Sequence, residues 1–252
     1  MFGVLLCLGQ ILMACAIVDA PVVARIALLA PFEGADREIG YNALYSVRLA
    51  IGEIAADDVV LLAVDDGGTV ETAVERMRAL STDISIEAAI VLGKHASSLD
   101  VQNVSADLPV LVAGYWDGVS ERTNVLLFAH MDIPSMLESP EYVGIEATTE
   151  NYSIFFDIDY MTVLASSARP DDAFRTVYLD SDQFAPEPGI IAAHTYNAAT
   201  YLLQNIQKTN TRQSLLTAMS SDFVDGFYQN AELHLFSFTE SGDLLSLDRV
   251  VK

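Results

Sequence analysis

The sequence predicts an α/β protein built on a doubly wound parallel sheet, with a shortened second α/β layer and a C-terminal hairpin. Four short apolar runs lie in the first half of the chain: Ala24–Leu29, Val59–Val64, Ala88–Leu92 and Val110–Ala113. None alternates polar with apolar residues, so each reads as a strand buried on both faces. Segments with helical apolar spacing separate them, the strand–helix rhythm of a parallel sheet covered on both sides.

The first strand runs into a loop carrying Pro31, Glu33 and Gly34. Leu44, Val47, Ile51 and Ile54 then recur at helical spacing across Gly40–Ile54. The second strand closes on Asp65, Asp66, Gly67 and Gly68, and Thr69 is placed to cap a helix with Glu71 in its first turn. Val70, Ala73, Val74, Met77 and Leu80 stripe that helix. After the third strand, Gly93 leads to Ser97 and Ser98, caps for a helix ending near Val104 with Asp100 in its first turn.

The second half is less regular. Val125–Ala129 and Ile154–Ile158 read as strands, Asp171–Leu179 as a helix, and Pro134–Glu150 has little pattern. Ile191–Lys208 is a strong helix striped by Tyr196, Ala199, Leu203 and Ile206, and Gln213–Met219 is a short amphipathic one. Leu233–Phe238 and Leu247–Val251 alternate on either side of a turn at Glu240–Asp243, a hairpin signal. In doubly wound sheets ligands sit beyond the carboxyl ends of the strands. Here those loops are Pro31–Ile39, Asp65–Thr69, Gly93–Ser98 and Gly114–Gly118.

The 252 residues allow one large or two modest domains, and 52% hydrophobic residues supply a real core. The net charge of −22 repels a phosphate backbone and an anionic membrane surface, which excludes nucleic acid as a partner. The only cysteines, Cys7 and Cys15, fall in the first apolar stretch and make no zinc pattern. No GxSxG, HExxH, P-loop or GxGxxG is present. His95, His130, His194 and His234 are scattered without a neighbouring nucleophile pattern. The expectation is a protein that is not an enzyme and needs no cofactor and no metal.

Residues 1–18 carry no charge, and their apolar run is too short to span a bilayer comfortably but has the length of a signal-peptide core. Leu12-Met13-Ala14-Cys15 resembles a bacterial lipobox, which makes residues 1–20 a leader and Cys15 the lipidation site. Met13 and the lack of an early Lys or Arg depart from that pattern. A buried first strand or an uncleaved anchor is the other reading of the stretch.

Several segments in order carry a wider resemblance. Ala24–Gly34, Gly40, Ala43 and Arg48–Ala50 resemble the opening of the type I periplasmic solute-binding proteins, the branched-chain amino acid ABC importer kind. Val64–Asp66 before a helix with Ala73 and Leu80 resembles their second unit, and Leu92–Gly93, Ser97–Ser98 and Leu108–Leu111 their third and fourth strands. Ala193–Ala199 resembles their late helix, and Asp222–Phe223, Gly226, Phe236–Phe238 and Gly242–Asp243 their closing segment. The resemblance covers the first half and the last quarter of the chain.

It implies two lobes joined by a hinge, with a first lobe at 21–120. A second lobe and segments returning to the hinge would fill 121–252. It implies a small-molecule ligand, an amino acid or small carboxylate, held between the lobes; a permease or other membrane complex as partner; and a place outside the cytoplasm. It puts Ser97 where an amino-acid carboxylate is held, Gly114 and Trp116 where a small residue and a threonine grip the ligand, and Ile39 where some members carry an aromatic. Phe32, Glu33, His95 and Tyr115 join the candidate set from the same loops, with Glu33 able to meet an ammonium group. The plainer alternatives are a helix cap for Ser97, a space-filling role for Tyr115 and Trp116, and turn chemistry for Asp65 and Asp66.

Two departures matter. Val125 to His194 spans 70 residues, room for at most two βαβ units of roughly 30 residues each, so the second lobe is shortened. Tryptophan in place of threonine at 116 fills space and removes a hydroxyl. A protein that has lost its ligand and serves as an accessory subunit of a membrane complex is therefore the alternative function.

Overall fold

The computed structural model describes residues 23–55, 58–149, 161–239 and 244–251. The leader with Cys7 and Cys15, the strand expected at 154–158 and the turn expected at 240–243 lie outside the described residues.

The alternation expected in the first half is present: β1 (Ala24–Ala30), α1 (Arg37–Ile54), β2 (Val59–Asp65), α2 (Val70–Thr82), β3 (Ile86–Val91), α3 (Leu99–Asn103), β4 (Val110–Ala113) and β5 (Val125–Phe128). The chain then makes α4 (Ile133–Met136), β6 (Tyr142–Val143), a 3-10 turn (Ile145–Thr148) and β7 (Thr162–Ala165). It continues through α5 (Asp172–Ser181), α6 (Ile190–Ile206), α7 (Arg212–Ser220), β8 (Phe223–Val224) and β9 (Phe227–Tyr228) to the hairpin β10 (Leu233–Phe238) and β11 (Leu244–Val251).

Two sheets form among these elements. The larger has the order β2-β1-β3-β4-β5-β9-β8, and all neighbours are parallel except the terminal β8–β9 pair. The smaller has the order β11-β10-β7-β6, with β10 antiparallel to both neighbours and β6 parallel to β7. The first layer therefore runs past the expected boundary at 120: β5 still pairs with β4, and the chain leaves for the second layer only after Phe128. It crosses back before α5 and crosses once more between β9 and β10. The hairpin belongs to the second sheet.

Local chemistry sets the boundaries. Thr69 caps α2 by accepting from the Thr72 N–H at 3.2 Å, Asp171 caps α5 by accepting from the Phe174 N–H at 2.7 Å, and Thr211 with Ser214 forms a capping box at α7. The strands lack polar alternation because both sheet faces are covered. Ile26 and Leu28 face α1 and α6, whereas Ala27 and Leu29 face Met77, Leu80 and Val101 of α2 and α3. The α1–α6 contact uses small residues, and the Ser46 hydroxyl on α1 lies 2.8 Å from the Ala192 carbonyl on α6. Asn42 accepts from the Gly189 N–H at 3.0 Å, fixing the start of α6.

The core under the larger sheet does not stop at its edge. Ile145, Val163, Ala165, Phe236 and Phe238 of the second layer belong to the same apolar cluster as Ile26 and Leu28. The two layers are fused through α6 rather than separated by an open hinge.

Arg212 ties the returning α7 to the first layer. Its guanidinium donates to the carbonyls of Ile86 (2.8 Å), Ser81 (3.0 Å) and Asp83 (2.6 Å) and to Asp107 (2.8 Å). Arg212→Ala is expected to cost about 2–4 kcal/mol, since hydrogen bonds to a charged group contribute about 1.5–3 kcal/mol each and do not add fully. Arg212→Lys recovers less than half of that, because a single ammonium cannot span the fork. Urea unfolding of the three proteins measures both.

Candidate functional site

The loops named from the sequence come together at the carboxyl ends of β1, β3 and β4, and the side chains of Ser97 and Trp116 fold back onto protein. Ser97 is fully buried, and its hydroxyl donates to the Gly93 carbonyl at 2.6 Å. It does not cap α3; Ser98 occupies the cap position, and its buried hydroxyl has no hydrogen-bond partner. Buried Gln102 stitches this loop to the next: its Nε2 donates to the carbonyls of Ser97 (2.6 Å) and Gly118 (2.9 Å), and its Oε1 accepts from the Ser120 N–H at 2.8 Å.

Gly114 shows how full the strand end is. Its φ of +94° suits glycine. A Cβ there would sit 3.2 Å from Trp116 Nε1, 3.7 Å from His194 Nε2 and 3.7 Å from Ile145 Cγ2. Loop, returning helix and second layer thus converge on one backbone atom. Trp116 folds back, its Nε1 donating to the Ala113 carbonyl at 2.7 Å, and its ring packs against the clusters on both sheet faces. The cavity left between Gly114, Tyr115, Ile145, Ser166 and His194 is about 10 Å³, room for a single water.

The other candidates flank this plug. Half-buried Tyr115 packs on Ile133 and Leu164 of the second layer, and burial pushes its hydroxyl pKa up. Phe32 is half-buried against the main core and meets Tyr41 edge-on, while Glu33 is exposed. Ile39 is core. His95 is half-buried with Nδ1 3.9 Å from Asp66 Oδ2. Asp65 is used by the turn, accepting from the Phe32 and Gly67 N–H groups at 2.7 and 2.9 Å. Buried Asp66 accepts from the Gly68 N–H at 2.8 Å, its Oδ2 facing His95 makes no hydrogen bond, and burial raises its pKa. Among the described residues no group of three or more His, Cys, Asp or Glu is placed to hold a metal.

Two features were not singled out from the sequence. His194 is one. It sits on α6, 1% exposed, its ring nitrogens near the Phe128 and Ser166 backbone but without a hydrogen bond of normal geometry. Burial drives its pKa down to about 4, so it is neutral at physiological pH. The other is a cavity of about 550 Å³ where the chain crosses between layers. It is lined by α6, by the 166–171 crossing after β7 and by the 230–234 crossing before β10. The signal was available: Ala193, Asn197, Tyr201 and Gln204 recur at helical spacing on one face of α6. Tyr196 of the apolar stripe reaches the same cavity, and Ala199, Leu203 and Ile206 face the core.

Below pH 6.5 the unfolded chain takes up a proton at His194 that the folded chain refuses until about pH 4. Stability is therefore lost as the pH falls across that window, by roughly 3 kcal/mol for this group. Buried Asp66 and Glu146, whose carboxyls are raised, act in the opposite sense. His194→Phe is expected to flatten the fall in unfolding free energy between pH 7 and pH 4.5 relative to the parent. An unchanged slope means that His194 titrates normally.

No family model and no curated protein matches the sequence. Solved structures do match the fold. The leucine-binding protein LivK of Thermotoga maritima aligns over 91% of this chain and 99% of that one, with TM-score 0.66 and 12% identity. LivJ of Streptococcus pneumoniae, a branched-chain amino acid transporter substrate-binding protein solved with isoleucine, aligns over 91% and 99%, with TM-score 0.64 and 9% identity. A periplasmic binding protein of Burkholderia mallei aligns over 92% and 95%, with TM-score 0.67 and 11% identity. The chain shares the fold of these periplasmic solute-binding proteins.

Proposed function

We propose that this chain is a non-enzymatic, extracytoplasmic solute-binding protein that presents a small polar molecule to an ABC-type importer or a related membrane complex. The observation that carries this is the open cavity of about 550 Å³ at the crossings between two α/β layers, of a size that suits small molecules. The fold supports it, since the similar solved proteins are named as leucine-binding or transporter substrate-binding proteins. The histidines are consistent with it: His194 is sealed, His95 and His234 lie beside Asp66 and Glu232, and His130 Nδ1 accepts from the Asp132 N–H. The apolar leader and Cys15 give the address, with lipidation at Cys15 as the anchor. Amino-acid capture through Ser97, Gly114 and Trp116 is not part of the proposal, because those groups are occupied by protein.

A second reading has its own observation. The filled strand end favours a descendant that no longer carries a ligand and acts as an accessory subunit of a membrane complex. It predicts co-purification with a membrane protein and no response to solutes.

Thermal unfolding against a panel of amino acids, amides, small carboxylates and heterocycles separates the two. A ligand at one hundred times its Kd stabilises by about 2.7 kcal/mol, a rise in Tm of about 5–10 °C for a protein this size. No shift with any solute contradicts the solute-binding reading and favours the subunit.

A further inference from the structure

The walls of the crossing cavity differ in kind. One is aromatic: Phe128 and Tyr228 stack at 4.4 Å with 19° between planes, and Tyr201 lies 5.1 Å from Tyr228. The Tyr201 hydroxyl donates to the Asp222 carboxylate at 2.9 Å, and its ring packs against Phe128, Phe223 and Tyr228. Phe128 closes β5 and Tyr228 closes β9, two strands paired side by side, which fixes the stack on sheet backbone.

The rim is made of amides. Asn197 and Gln204 project from α6 and Asn230 from the crossing before β10, and all three are exposed at the cavity. The charged groups nearby already have protein partners. Arg169 donates to the Leu244 carbonyl at 2.9 Å, Asp171 accepts from the Phe174 N–H at 2.7 Å, and Glu232 lies 3.3 Å from His234 Nε2. Those contacts hold the charged side chains in place without neutralising them; beside them the site presents an aromatic wall and neutral amides, with Asn197 Nδ2 3.4 Å from Ser167 Oγ. Each amide supplies a donor and an acceptor side by side, the pattern at the edge of a nitrogen heterocycle. The net charge of −22 disfavours a phosphorylated ligand.

We infer that this cavity is the ligand site and takes an uncharged planar nitrogen heterocycle of the nucleobase class, free or as its nucleoside. The ring lies against the Phe128–Tyr201–Tyr228 wall, and the amides of Asn197, Gln204 and Asn230 read its edge. Aromatic stacking recognises the ring and is tolerant of its substituents, so the amides set which heterocycle is preferred. The inference rests on the solute-binding reading and adds the site and ligand class.

Calorimetric titration of the full chain with adenine, adenosine, uracil, uridine, adenosine monophosphate and leucine tests it. At least one base or nucleoside is expected to bind saturably, with the monophosphate weaker and leucine silent. Removing two edge hydrogen bonds weakens binding by about tenfold or more, since each contributes about 1 kcal/mol. That loss is expected in Asn197→Ala/Gln204→Ala and, from the opposite wall, a smaller one in Asn230→Ala. All three residues are exposed, and unchanged circular dichroism and Tm without ligand establish that the variants fold. Base binding that is undiminished in both variants overturns the site. Binding of some other solute, unaffected by these substitutions, overturns this inference and leaves the solute-binding reading standing. Silence toward every solute overturns both.

Discussion

Everything in this molecule turns on α6 being buried on nearly every side. Ile190, Ile191, Ala192, Ala193, His194, Thr195, Ala198, Ala199, Leu202 and Leu203 are all interior. A helix apolar over most of its circumference needs neighbours on those faces. Here α1 takes one face, the larger sheet another and the second layer a third. The small residues on α6 are what allow that close approach. The one polar ring in this stretch, His194, is carried into the strand end and kept neutral, because a charged imidazole there would have no partner.

From this burial follow both the closed site and the open one. The inner end of α6 brings His194 against Gly114, and Trp116 and Ile145 complete the plug. The remaining face, with Asn197 and Gln204 exposed on it, lines the crossing cavity. Two lobes that close on a hinge need two separate cores. In this chain Val163 and Phe236 share a core with Ile26 and Leu28.

The first layer was legible in the sequence because its signals are local. Continuous apolar runs, the Thr69 cap and glycine-bearing loops depend on a few adjacent residues, and the elements of the first half stand where expected. The second layer was less legible. β6, β8 and β9 are two residues long and β7 four, too short for any period to show, and they exist only because partners elsewhere in the chain pair with them. Trp116 follows β4 in the sequence, and its ring packs against the clusters on both sheet faces. What occupies Ser97 and Gly114 was not readable, since their neighbours include Gly93, Ile145 and His194, brought there by tertiary packing. The crossing cavity was hidden for the same reason: its rings and amides come from segments a hundred residues apart in the chain.

Trp116 is the chain's single tryptophan, which makes the sealed strand end directly observable. Acrylamide quenching of its fluorescence measures how far solvent reaches that position. The account predicts blue-shifted emission and quenching several-fold weaker in the folded protein than in urea, unchanged by saturating leucine. Quenching as strong as in the unfolded chain, or protection that appears only when leucine is added, would contradict a strand end closed by protein.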